Sequence, residues 1–162
     1  MSEARKLITN AVLNTDMALH KSLMLDLLGR AENPPAYDLS QPSARHELVK
    51  IILHTADIFN PARSSDVSAA VSRQVCTEFL AQAAMEKAAA LPVTPWMSDL
   101  DNELSICKGE LGFARFVARP YFAALAACFM GNAGLNFVPQ IDENVAFWEA
   151  EIARLEVAGE AC

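Results

Sequence analysis

Apolar residues recur along this chain at the spacing of a helix face. Ile141, Val145, Trp148, Ile152 and Leu155 follow one another at intervals of four, three, four and three, which lines them up along one side of a helix. Val67, Val71, Val75 and Phe79 do the same, with Cys76, Leu80 and Ala83 widening the stripe. Leu48, Ile51, Ile52 and Phe59 give a third such face. No stretch of six residues alternates cleanly enough to suggest a strand. The pattern predicts an all-α fold, a compact bundle of about five long helices over 4–30, 44–59, 65–90, 100–131 and 140–158.

The breaks between these helices have ordinary causes. The run from Asn33 to Ser43 holds three prolines and cannot continue a helix. Asn60-Pro61 stops the second helix, because the residue before a proline avoids the helical region. Leu91–Trp96 makes a third connection and Gly131–Pro139 a fourth, while Arg119-Pro120 should kink or split the helix that contains it. No internal repeat is visible.

Composition and charge narrow the function classes. The chain has 162 residues, 52% of them hydrophobic and 20% charged, which suits one folded domain or a large piece of one rather than a disordered segment. It carries 13 basic against 20 acidic residues, a net charge of -7, the wrong sign for a phosphate-backbone binder, so no nucleic-acid partner is expected. The cysteines Cys76, Cys107, Cys128 and Cys162 are widely separated, unlike a zinc ribbon or a small disulfide framework, and read as free thiols in a reducing compartment. The most apolar segment, Val117 to Val138, is interrupted by Arg119, Pro120, Asn132 and Asn136. Its uninterrupted part is shorter than the ~20 residues of a spanning helix, so a buried helix is expected there and no membrane span.

Candidate chemistry centres on His54 and Asp57, one helical turn apart on one side of the second helix. Such a pair can share a divalent metal, or it can be a buried carboxylate bonded to an imidazole near a helix end. Spacing is compatible with both. His20 and His46 read as surface or capping residues, and Asp99, Asp101 and Glu103 as the solvated start of a helix.

Three blocks in order add to this reading: "TDMALH" at Thr15–His20, "HTADIFNPAR" at His54–Arg63 and "KGELGFARFVARP" at Lys108–Pro120. Their sequence and separations resemble the C-terminal half of the catalytic domain of class I 3′,5′-cyclic-nucleotide phosphodiesterases, over about residues 7–148. The resemblance implies that Asp57 is the aspartate ligating the tightly bound zinc of a two-metal site, zinc plus magnesium or manganese. His54 then matches a family histidine outside the first coordination shell. It also implies that Asn60 lies on the nucleotide-pocket wall, that Asp16 and Met17 line the cavity, and that Phe113 stacks on the purine opposite Val75 and Phe79. Taken without the resemblance, Met17, Val75, Phe79 and Phe113 read as core residues and Asn60 as a turn residue.

Two departures from the family pattern bear on function. The family's remaining metal ligands and its general-acid histidine come from earlier histidine-aspartate motifs, and no histidine-aspartate dipeptide occurs here. A lone Asp57 cannot hold a binuclear centre, so no catalytic residue is assigned and residues 1–162 are expected to be a partial domain, inactive alone. The second departure is Glu110, which stands where the family has a purine-reading glutamine. An amide donates and accepts, whereas an ionised carboxylate only accepts. Burying that charge costs several kcal/mol or shifts the pKa upward. Ser68 and Val71 fall at about the places of a family tyrosine and tryptophan, which implies a wider, less polar cavity.

Two functions follow as expectations. The first is metal-dependent hydrolysis of cAMP and/or cGMP to the 5′-monophosphate by a cytoplasmic signalling enzyme of which this is a part. The alternative is a non-catalytic, degenerate relative acting as a helical binding or regulatory module. In either case an uncovered apolar face would promote self-association.

Overall fold

The computed structural model describes residues 2–33, 37–129 and 136–160, and among these every regular element is helical. The chain forms two compact units, Met1–Phe59 with Ala118–Val138, and Asn60–Val117 with Pro139–Cys162.

In the first unit, α1 (Glu3–Leu13) is capped by the Ser2 hydroxyl, which accepts from the Arg5 N–H. The long first helix expected from periodicity is broken here. Asn14, Thr15 and Asp16 are consecutive short polar residues, and each offers the backbone an alternative partner. Asn14 Nδ2 donates to the Asn10 carbonyl at 2.8 Å and Thr15 Oγ1 to that of Val12 at 2.9 Å, while Asp16 Oδ1 accepts from the Ala18 N–H at 2.9 Å. A single 3-10 turn, Met17–Leu19, leads into α2 (His20–Ala31). α3 (Pro42–Asp57) begins with proline at its first turn, where no N–H is needed. α6 (Arg119–Cys128) completes the unit. α2 packs on α6 and α1 on α3. The core includes Leu27, Ile51, Tyr121 and Phe122, all at most 2% exposed, with Phe59, Phe122 and Phe137 meeting edge to face at 5.0–6.0 Å.

In the second unit, a 3-10 turn at Asn60–Ala62 precedes α4 (Ser65–Ala88). A further 3-10 turn, Pro95–Asp99, leads to α5 (Glu103–Phe113), capped by Asn102 Oδ1 accepting from the Ser105 N–H at 2.8 Å. The fourth expected helix is split, and the split begins a turn before Pro120. Residues Ala114–Ala118 form a π-turn, whose wider winding accommodates the N–H that Pro120 lacks. α7 (Val138–Glu160) carries the apolar stripe seen in the sequence. Trp148 packs with Ala69 and Cys107, against which Leu111, Phe147, Ile152 and Leu155 are laid. Cys76, Leu100 and Ile106 form a second cluster with Phe79 and Leu80.

The expected connections at 33–43 and 131–139 fall partly outside the described residues. Cys76, Cys107 and Cys128 are buried free thiols, and burial raises the pKa of each. Among the described residues no helix is long and apolar enough to cross a membrane.

One polar residue interrupts the α7 stripe. Asn144 is fully buried, and its Nδ2 donates to the carbonyls of Pro61 and Arg63 at 2.8 and 2.7 Å. Asn144→Ala leaves both carbonyls without that donor, and the urea midpoint should fall by the equivalent of about 2 kcal/mol or more. Asn144→Asp, which sets a carboxylate against two carbonyl oxygens, should cost more. A midpoint unchanged in both variants would mean that the fork contributes nothing to stability.

Candidate functional site

The sequence-selected residues divide between the two units. Asp16, Met17, His54 and Asp57 belong to the first, and Asn60, Val75, Phe79, Glu110 and Phe113 to the second.

In the first unit, α3 delivers His54 into the interior, where it is 0% exposed. Its Nδ1 lies 3.1 Å from the Asn14 carbonyl, which can only accept, so Nδ1 carries a proton. Its Nε2 lies 3.0 Å from His20 Nδ1, so in the neutral ring Nε2 accepts from His20. Burial, and next the neighbouring His20, hold the His54 pKa below the usual imidazole value, while the Asn14 bond and the Asp57 charge act the other way. Tyr121 packs against both rings at 5.1–5.2 Å. Its hydroxyl meets Thr55 Oγ1 at 3.0 Å, and that oxygen donates to the Ile51 carbonyl.

His54 is thus a polar anchor between α3 and the Asn14–His20 segment. Both of its nitrogens are engaged by groups other than Asp57. His20 is half-buried and part of this anchor, not the surface or capping residue expected from sequence, because its imidazole supplies the hydrogen that the buried His54 accepts. His46 pairs with Glu3 at 3.4 Å. Asp57, the last residue of α3, is exposed, as are Asp16 and Met17 at the 3-10 turn. Among the described residues no group of three or more His, Cys, Asp or Glu side chains gathers in a way that could hold a metal ion. One exposed carboxylate does not supply a first shell.

In the second unit, the Asn60 amide bridges to two positions on α4. Asn60 Nδ2 donates to the Ser68 carbonyl at 3.2 Å and to Ser72 Oγ at 3.0 Å. Burial raises the Glu110 pKa above the usual carboxylate range, and the Ser72 hydroxyl draws it partly back. Asn60 Oδ1 and Ser68 Oγ are buried without a protein partner. Val75 and Phe113 are partly buried, and Phe79 packs in the cluster around Cys76, edge-on to Trp96 at 5.3 Å.

Two contributors escaped the sequence reading, Ser72 and Asn144. Ser68, Ser72 and Cys76 repeat every four residues on α4, a buried line of small residues that the Asn60 amide meets. Asn144 sits three residues after Ile141 and four before Trp148, a polar residue in phase with an apolar stripe. Those phases were the available signal.

The sequence model of the 3′5′-cyclic nucleotide phosphodiesterase family matches residues 1–138. The chain belongs to that family. Its similarity extends to the phosphodiesterase domain of the Salpingoeca rosetta rhodopsin phosphodiesterase, at 30% identity and a TM-score of 0.85 over 97% of this chain. It is also similar to the high affinity cGMP-specific 3′,5′-cyclic phosphodiesterase 9A of Drosophila melanogaster, 35% identical over 135 residues, or 83% of this chain. The 3′,5′-cyclic-AMP phosphodiesterase 4C of Rattus norvegicus is 28% identical over 153 residues, or 91% of this chain. The chain spans 47% of the solved domain, 8% of the fly protein and 28% of the rat protein.

The depressed His54 pKa makes stability depend on pH. Its contribution is complete above the ordinary imidazole value of about 6.5 and is lost as pH falls below that value toward the lowered one. Urea unfolding between pH 8 and pH 5 should show this loss. His54→Asn should flatten the slope while costing about 1–3 kcal/mol at neutral pH. An unchanged slope would assign the titration to another group.

Proposed function

We propose that this chain is the base-binding part of a phosphodiesterase catalytic domain that hydrolyses the cyclic phosphate of cAMP or cGMP in cytoplasmic signalling. The observation that carries this reading is the family match over residues 1–138, and the Asn60 amide held by the Ser68 carbonyl and Ser72 Oγ supports it at the position that the resemblance assigns to the pocket wall. Purine binding at such a wall favours flat apolar flanks, and Phe113, Val75 and Phe79 fill that role in this reading. Zinc, with magnesium or manganese, would polarise the phosphoryl group and supply a nucleophile at neutral pH. Asp57 is the one ligand this chain would offer, and no catalytic step is assigned to these residues alone.

A second reading, a non-catalytic relative serving as a helical binding or regulatory module, is favoured by Glu110 in the glutamine position. Purified protein separates the two. Incubated with zinc and magnesium and then dialysed, it should retain essentially no zinc and turn over neither cAMP nor cGMP, yet bind a cyclic nucleotide in equilibrium dialysis. Tight stoichiometric zinc would overturn the account of Asp57 as a lone ligand. Absence of nucleotide binding would leave the module reading.

We also propose self-association through the apolar residues that α1, α2 and α3 leave exposed. These include Ile8 and Leu13 at 64% and Leu25 and Ile52 at 53% and 58%, apolar area that association would remove from water. Sedimentation velocity should show a weight that rises with concentration, and a constant monomer weight would remove this proposal.

A further inference from the structure

The turn that begins at Asn60 has little backbone bonding of its own. Asn60–Ala62 is a single 3-10 turn between α3 and α4, closed by the Arg63 N–H on the Asn60 carbonyl at 3.1 Å. Pro61 has no N–H to add, and the position before a proline disfavours helical backbone. Asn144 on α7 holds this turn from outside. Its Nδ2 donates one hydrogen to the Pro61 carbonyl at 2.8 Å and the other to the Arg63 carbonyl at 2.7 Å. Two bonds from one planar amide fix the peptide planes on either side of Ala62, which is itself buried.

The hold passes to Asn60 through a stiff link. The pyrrolidine ring locks φ of Pro61, so a fixed Pro61 carbonyl leaves the bond that joins it to Asn60 little freedom. With its main chain set, Asn60 reaches the Ser68 carbonyl and Ser72 Oγ through Nδ2. Asn144 is also a costly residue to place here. It is fully buried, in phase with the apolar Ile141 and Trp148, and its Oδ1 has no protein partner. A buried lone pair left unpaired is destabilising, so packing alone does not account for an amide at this position.

We infer that Asn144 is a positioning residue for Asn60: α7 sets the pocket wall by clamping the main chain of the turn that Asn60 begins. The inference rests on the proposed function, in which Asn60 lines the nucleotide pocket, and adds to it the element that fixes that wall. Both Asn144 hydrogens end on main-chain carbonyls, so its effect reaches a nucleotide through the turn.

Two readouts on the purified chain, without denaturant, test this. The first is solvent exchange of the Asn60 side-chain amide by NMR, its signals assigned by their loss in Asn60→Ala. In the wild type these hydrogens should exchange about tenfold or more slowly than those of a free asparagine amide. Asn144→Ala should remove most of that protection. Asn144→Ser, which keeps one donor for one of the two carbonyls, should remove part of it. Ile152→Ala loosens α7 in the cluster around Trp148, about two turns beyond the fork. It should leave the Asn60 exchange rate within about twofold of the wild type. Equal losses in Ile152→Ala and Asn144→Ala would assign the effect to the helix as a whole and overturn the inference. Asn60 protection unchanged in both Asn144 variants would also overturn it.

The second readout is equilibrium dialysis with cGMP and with cAMP. Asn60→Ala and Asn144→Ala should each weaken binding of the better-bound nucleotide about fivefold to tenfold. The double variant should bind no more weakly than Asn60→Ala, because a residue acting through Asn60 has nothing left to act on. Losses that multiply in the double variant, or undiminished binding in Asn144→Ala, would overturn the inference. If the wild type binds neither nucleotide the proposed function falls, and the exchange readout still decides whether Asn144 positions Asn60.

Discussion

A chain that turns between two helices carries backbone carbonyls outside any helical ladder, and those that are buried must find other donors. Around Asn60-Pro61 two asparagine amides of the second unit reach main-chain carbonyls. Asn144 on α7 donates to the Pro61 and Arg63 carbonyls, and Asn60 turns its own amide toward the Ser68 carbonyl on α4. The second of these bonds has a consequence beyond the turn. A carbonyl is a one-way partner, so the Asn60 amide takes a single orientation, and Ser72 Oγ is left to accept its second N–H. The orientation of that side chain is therefore set by an ordinary main-chain group.

The first unit solves a similar problem with an imidazole. Asn14 ends α1, and its carbonyl is taken up by His54 from α3. Because that carbonyl fixes a proton on Nδ1, the other nitrogen is left to accept, and His20 at the start of α2 is drawn in. Three helices are thus connected through two side chains, with Tyr121 of α6 packed against both rings. Such an arrangement depends on the neutral ring, which burial enforces.

Periodicity made most of the helices legible, and the stripe of α7 in particular reads directly as the packing of Ile141 and Trp148. It failed at residues 14–16, where the apolar phase continues but three short polar side chains in succession compete with the helix for backbone partners. Pro120 announced a break but not its form, since the π-turn lies before the proline and carries no composition of its own. At the site, the positions of Asp57, Asn60 and Glu110 were visible as motifs. The partners of His54 were not, because one lies 34 and the other 40 residues away in sequence and a histidine pair has no fixed spacing. Ser72 was missed for a different reason. In sequence a serine on a helix is unremarkable, and only the Asn60 amide brought to it by the fold gives its hydroxyl a role.

The three described thiols give the protein a means of reporting on itself. Each is buried and held protonated, so none reacts as a nucleophile while its surroundings stay closed. Cys128 sits in the first unit, and Cys76 and Cys107 in the second. Modification of each by a thiol reagent is therefore gated by opening of its own unit. Chemical labelling followed site by site would resolve whether the two halves of this chain breathe together or open on separate clocks.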